Sequence, residues 1–152
     1  MAAVAVKYPA FRELSAEVLA VSVDSVDTHR KWQEEELVRM VKGGALFPLC
    51  SDPQGEIGKL FGVYDPGPEE DLRATFIIDP EGKIQALEIL AGPAGRNIPE
   101  TLRILRALAH HRSTGNLLPC GWQPGKPVLA PEPGDRHKPA PTWEIWETRN
   151  AF

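Results

Sequence analysis

The chain has 152 residues, a net charge of −4 and two cysteines, which suits one domain with a real core and is too few thiols for a disulfide scaffold. The acidic balance and the lack of a basic run give no footing for nucleic acid, and no apolar stretch approaches the length of a membrane span. The start, M-A-A-V-A-V-K-Y-P, has no charged region ahead of an apolar one, so no signal peptide is read and a cytoplasmic chain with reduced thiols is expected.

Ala2 to Leu14 is expected to be a helix, with Val4, Phe11 and Leu14 near one face and Pro9 as a local breaker. Glu17 to Val23 is short and almost wholly apolar, which suits a parallel strand buried on both faces. Asp24 or Ser25 can cap the next helix, which runs from about Asp27 to Val41 and stops at Gly43-Gly44. Phe47 to Cys50 is a short apolar piece ending in the turn S-D-P-Q-G. Cys50 is read as a small hydrophobe of the core. Glu56 to Phe61 reads as a short helix closed by Gly62, and Asp65 to Asp71 as an acidic Pro/Gly loop.

Ala74 to Ile78 is a second apolar strand. Asp79-Pro80-Glu81-Gly82 forms a turn and Lys83 to Leu90 returns, so a β-hairpin is expected. Gly92 to Asn97 is a loop. Pro99 to His111 is a helix with Leu102, Leu105, Leu108 and Ala109 inward. After Ser113, Pro119, Pro124, Pro127, Pro131, Pro133, Pro139 and Pro141 argue against regular structure. Trp143 and Trp146 offer aromatic anchors for docking that tail. Strands alternating with helices and then a hairpin predict an α/β class.

Four segments carry candidate chemistry. The first is S-V-D-S-x-x-x-H-x-x-W, Ser22 to Trp32, with His29 and Trp32 on one helical face. Alone, it is satisfied by a capped amphipathic helix. The second is Leu72 to Gly82, in which Arg73 precedes a buried strand. An arginine there either snorkels at the strand end or aims its guanidinium at the end of the sheet. The third is Gly95-Arg96-Asn97-Ile98-Pro99-Glu100, in which Asn97 and Pro99 suit a helix start and Arg96 is left for function. The fourth is Leu118-Pro119-Cys120-Gly121-Trp122-Gln123-Pro124-Gly125. His110-His111 suits a helix C-terminus, and no zinc spacing is present.

These segments resemble the peroxiredoxins, the AhpC/TSA family of thiol peroxidases, over most of residues 2 to 130. Val18 to Trp32 resembles the family's second βα unit. R-A-T-F-I-I-D-P-E-G resembles its R-x-x-F-I-I-D-x-x-G, and G-R-N is similar to its one-Cys members. The resemblance implies a thioredoxin-like (peroxiredoxin) fold, incomplete at the N-terminus, with a core over residues 1–112 and a Pro-rich C-terminal extension over residues 113–152. It implies Arg73 and Arg96 as the cations that activate thiolate and peroxide, with His29 and Trp32 supporting the active-site loop. Cys120 is either a resolving thiol or a tail thiol. Aligned on Trp122, the family's resolving cysteine falls on Leu118, but a tail thiol needs mainly access to reach a sulfenic acid.

No metal or cofactor is implied. The implied partners are a peroxide, a thiol reductant such as a thioredoxin or glutaredoxin system, and further copies in a homodimer or ring of dimers. The family's reactive cysteine stands in P-x-x-x-T-x-x-C, a motif absent from these 152 residues. The resemblance also implies a strand between Glu17–Val23 and Ala74–Ile78, without which both would keep unpaired backbone edges. A gene that begins upstream is therefore expected, through a selenocysteine codon read as a stop, a truncation or a split gene. The alternative is a non-catalytic assembly partner.

Overall fold

The computed structural model describes residues 1–132 and 134–139. The chain packs as two units, Met1–Ile98 and Pro99–Phe152. The first unit opens with helix α1, Ala2–Glu13, which buries Ala5 and Phe11. Pro9 lies inside this helix and does not break it, contrary to the sequence expectation. A mid-helix proline costs about 3 kcal/mol. Burial of Ala5 and Phe11 on either side of it offsets that loss.

Strand β1, Ala20–Ser22, pairs in parallel with β2, Leu49–Ser51. Between them run α2, Val26–Trp32, a π-helical turn, Gln33–Leu37, and α3, Val38–Met40. Ser25 is the cap of α2, its side chain accepting from the Thr28 N–H at 3.1 Å. Leu37 is fully buried and anchors this segment. At the C-terminal side, Gln33 accepts from the Ala45 N–H at 2.9 Å. Gly44 sits against that same Gln33 side chain with φ of +67°, so both the space and the backbone conformation require glycine.

Helix α4, Glu56–Leu60, follows β2. Buried Asp52 caps it, accepting from the N–H groups of Glu56, Ile57 and Gly58 at 3.0, 2.8 and 3.1 Å. The acidic loop then holds a minimal hairpin, β3 (Tyr64–Asp65) with β4 (Glu70–Asp71), which sequence reading left as irregular chain. The expected larger hairpin is present as β5, Arg73–Ile78, with β6, Ile84–Leu90.

These strands form separate two-stranded sheets. Among the described residues neither β1 nor β5 has a second neighbour. The expectation that β1 is buried on both faces is therefore corrected: Leu19 is 67% exposed and Val21 39%. A parallel strand is fully apolar only where layers cover both of its faces, and these two side chains are left partly uncovered.

In the second unit, α5, Ile98–Thr114, buries Leu102, while Ala109 is exposed rather than inward. Arg103 forms a two-bond pair with Glu100 and donates to the Trp122 carbonyl at 2.9 Å. Buried Trp122 stacks on His110 with ring centroids 4.9 Å apart. The tail is not wholly irregular, as expected from its prolines. Leu117 bridges Leu129, and β7, Pro131–Glu132, pairs with β8, Asp135–Pro139. Proline is tolerated at such short, one-sided ladders because few donors are needed. Trp143 and Trp146, with Pro133 and Pro141, lie outside the described residues.

Candidate active site

The site is built on β5 and on the loop before α5. Residues 73 and 75 point to one face of a strand because side chains alternate. The β5–β6 register sets Thr75 opposite Glu88 and Arg73 opposite Leu90, so these four share a face. Arg96 folds back onto it. Its Nε donates to Thr75 Oγ1 at 3.1 Å and its Nη2 to the Ala74 carbonyl at 3.0 Å. Two fixed bonds leave one guanidinium nitrogen, Nη1, outside this clamp.

Arg96 is held below the ordinary arginine range by burial and then by the like charge of Arg73, while Glu88 opposes that shift. The Met1 amino group is lowered too, first by burial, then by Arg96 and Arg73. The start of α1 therefore shares its electrostatic environment with both arginines. Two cations held this way favour an anion beside them.

His29 and Trp32 occupy α2, behind the end of β1. Ser22 Oγ donates to Asp24 Oδ2 at 2.8 Å, so the 2.8 Å contact between Ser22 Oγ and His29 Nε2 has the ring N–H as donor. His29 Nδ1 is buried and has no partner among the described residues. Ser51 Oγ donates to the Asp24 carbonyl at 2.6 Å, tying the same loop to β2. Trp32 is half-buried. This cluster is not a catalytic triad, because Asp24 and Ser22 both lie on the Nε2 side of the ring and nothing orients Nδ1.

The structure thus brings Arg73 and Arg96 together, with Thr75 and Glu88 beside them, and sets His29 in its own network. Cys50 is half-buried on β2 and Cys120 is exposed in the turn between Pro119 and Trp122 of the second unit. Sequence reading missed Thr75 and Glu88. The turn at Asp79–Gly82 alone could not have found the pair: counted back from Ile78 opposite Ile84 it sets Thr75 against Leu87, and the register shift between Ile77 and Ile78 moves the partner to Glu88.

Fold and site together define a thioredoxin-like protein with two arginines gathered on one sheet face. A model of the AhpC/TSA family matches residues 1–87, and one of the C-terminal domain of 1-Cys peroxiredoxin matches residues 107–147. The chain is 46% identical over 154 aligned positions to the selenocysteine-containing peroxiredoxin PrxU of Peptoclostridium acidaminophilum, covering all of this chain and 74% of that protein. It is 39% identical to the chloroplastic 2-Cys peroxiredoxin BAS1 of Hordeum vulgare, covering 84% of this chain and 60% of that one. Among solved structures, a yeast mitochondrial 1-Cys peroxiredoxin superposes with a TM-score of 0.79 at 27% identity, covering 86% of this chain and 65% of the other. The reduced 2-Cys peroxiredoxin of Plasmodium vivax gives 0.76 at 34% identity, covering 84% and 66%. The chain belongs to the AhpC/TSA family of peroxiredoxins. It spans between about half and three-quarters of the length of the curated relatives it matches.

Proposed function

We propose that this chain forms the arginine side of a peroxiredoxin active site that reduces hydrogen peroxide or alkyl hydroperoxides. The observation that carries this reading is the gathering of Arg73 and Arg96 on one face of the β5–β6 hairpin, where Thr75 Oγ1 and the Ala74 carbonyl hold Arg96. Neither cysteine of the 152 residues stands in the family's T-x-x-C motif. The attacking atom is a cysteine or selenocysteine supplied from residues other than these, and the selenocysteine of PrxU, similar over the whole of this chain, supports the second choice.

In the reaction the thiolate or selenolate attacks the terminal peroxide oxygen. The S–O (or Se–O) bond forms, the O–O bond breaks, and the leaving alkoxide or hydroxide takes a proton. The nucleophile is oxidised to the sulfenic or selenenic acid and the peroxide is reduced to alcohol or water. The arginines favour the anionic nucleophile and stabilise charge on the departing oxygen. A thiol reductant of the thioredoxin or glutaredoxin class then condenses with the oxidised atom, releasing water. Cys120, exposed at a turn, is the resolving thiol where the second unit supplies one.

Residues 1–112 act as the core and 113–152 as the extension. His29 and Trp32 support the loop that bears the nucleophile. The exposed apolar residues Ile84, Leu87 and Ile89 of β6 support association into a homodimer or a ring of dimers. No described helix is long and apolar enough to cross a membrane, and a cytoplasmic site of action fits that.

A stopped-flow peroxide assay tests the reading in two arms. The 152-residue chain by itself consumes peroxide no faster than a free thiol. The same chain preceded by an in-frame segment bearing T-x-x-C or its selenocysteine form consumes it rapidly. Rapid consumption by the first, or background rates in the second, overturns the proposal.

A further inference from the structure

Arg73 and Arg96 are like charges held on one face of a two-stranded sheet, and each raises the cost of keeping the other there. The compensation lies across the sheet. Thr75 and Glu88 are directly opposed in the β5–β6 register. Directly opposed side chains point the same way and stand about 4.5–5.5 Å apart at Cβ. Thr75 is also the residue whose hydroxyl accepts from Arg96 Nε at 3.1 Å. Glu88 thereby shares the sheet face on which Arg96 is clamped, without a direct ion pair to it among the described residues.

We infer that Glu88, as the carboxylate facing the same side of the hairpin as the Thr75–Arg96 clamp, is a positioning residue that helps hold Arg96 in its site-facing orientation. This rests on the proposed peroxidase reading for its consequence, but not for its geometry. Thr75 fixes one N–H of Arg96 and the Ala74 carbonyl fixes another. Both are neutral acceptors, and neither offsets the repulsion from Arg73. Glu88 does, and its charge favours the protonated guanidinium in the direction opposite to Arg73. Glu88 is half-buried and β6 covers this face more than its other one, so solvent screens the attraction only in part.

The arrangement also limits the site. Two cations without a counter-charge would hold any small anion. With Glu88 on the same face, the guanidinium is committed to the sheet through Nε and Nη2, and its remaining nitrogen serves the incoming oxygen. Glu88 does not touch substrate. It acts on Arg96 alone.

The test follows the Arg96 Nε–H in the isotope-labelled chain by NMR. Hydrogen exchange at that group is slow in the wild type. Glu88→Gln, which keeps shape and removes charge, speeds it by roughly fivefold. Thr75→Val speeds it at least as much, and Glu88→Asp restores part of the protection. Amide exchange along β5 and β6 reports whether the hairpin itself has loosened, so a merely structural effect is separated. In the chain joined to its nucleophile-bearing segment, Glu88→Gln lowers the second-order peroxide rate by a similar factor. Unchanged Arg96 Nε–H exchange in Glu88→Gln, with the hairpin amides intact, overturns the inference. Loss of all peroxidase activity in the joined wild type overturns the functional proposal and leaves the NMR result to decide the role of Glu88.

Discussion

Arg96, on the loop before α5, donates from Nε to the hydroxyl of Thr75 in the middle of β5 at 3.1 Å. That bond fastens a residue 21 positions away in sequence to the sheet face that also carries Arg73. A flexible arginine thereby becomes a fixed cation, which is what electrostatic catalysis requires.

Asp71 makes the stability of the first unit depend on pH. Its Oδ1 is buried without a partner among the described residues. Burial first, and the Asp52 carboxylate second, push its carboxyl above the usual range. A raised folded-state value means the native state binds more protons than the unfolded chain between the ordinary carboxylate pKa and the raised one. Stability therefore falls as pH rises through that window. Asp71→Asn is expected to be more stable than wild type at neutral pH, with the difference shrinking below the ordinary carboxylate range. Urea melts at several pH values check this. A gap that widens on acidification contradicts it.

Asp52 is the cap of α4, and removing it leaves three backbone N–H groups without their acceptor. Asp52→Ala is expected to cost about 2–3 kcal/mol, measured by chemical denaturation. Ser25→Ala, at the exposed start of α2, removes the bond from the Thr28 N–H and the hydroxyl contact with Thr28 Oγ1, and should cost about 1 kcal/mol.

Gly44→Ala tests the turn after α3. The new methyl would meet the Gln33 side chain and the residue would keep a positive φ. A loss of about 1–2 kcal/mol is expected in the same assay. Gln33→Ala in the same background relieves the contact but not the backbone strain, so only part of the loss should return.

Much of this was legible in the sequence, for reasons that differ by element. The β5–β6 hairpin was clear because Asp79–Gly82 is a strong turn flanked by apolar runs. The α2 cap was narrowed to Asp24 or Ser25, and Ser25 takes the place because its hydroxyl reaches the Thr28 N–H. The β3–β4 pair was hidden because two residues per strand leave no alternation to detect. Pro9 misled because a proline rule is local, whereas the burial of Ala5 and Phe11 is tertiary. At the site, Arg73 and Arg96 were named from motifs, but their meeting was not. Nor was Thr75, whose hydroxyl looks like an ordinary strand residue until the loop carrying Arg96 folds over it.

The central claim is that Arg73 and Arg96 prepare an attacking sulfur or selenium and the oxygen it takes. The direct measurement is the pH dependence of the second-order peroxide rate in the chain joined to its nucleophile-bearing segment, for wild type, Arg73→Met and Arg96→Met. Each substitution should lower the rate by about 100-fold and raise the apparent pKa of the nucleophile. Rates within about twofold of wild type, with the pH profile unmoved, would contradict the account, since a removed transition-state donor cannot leave the barrier unchanged.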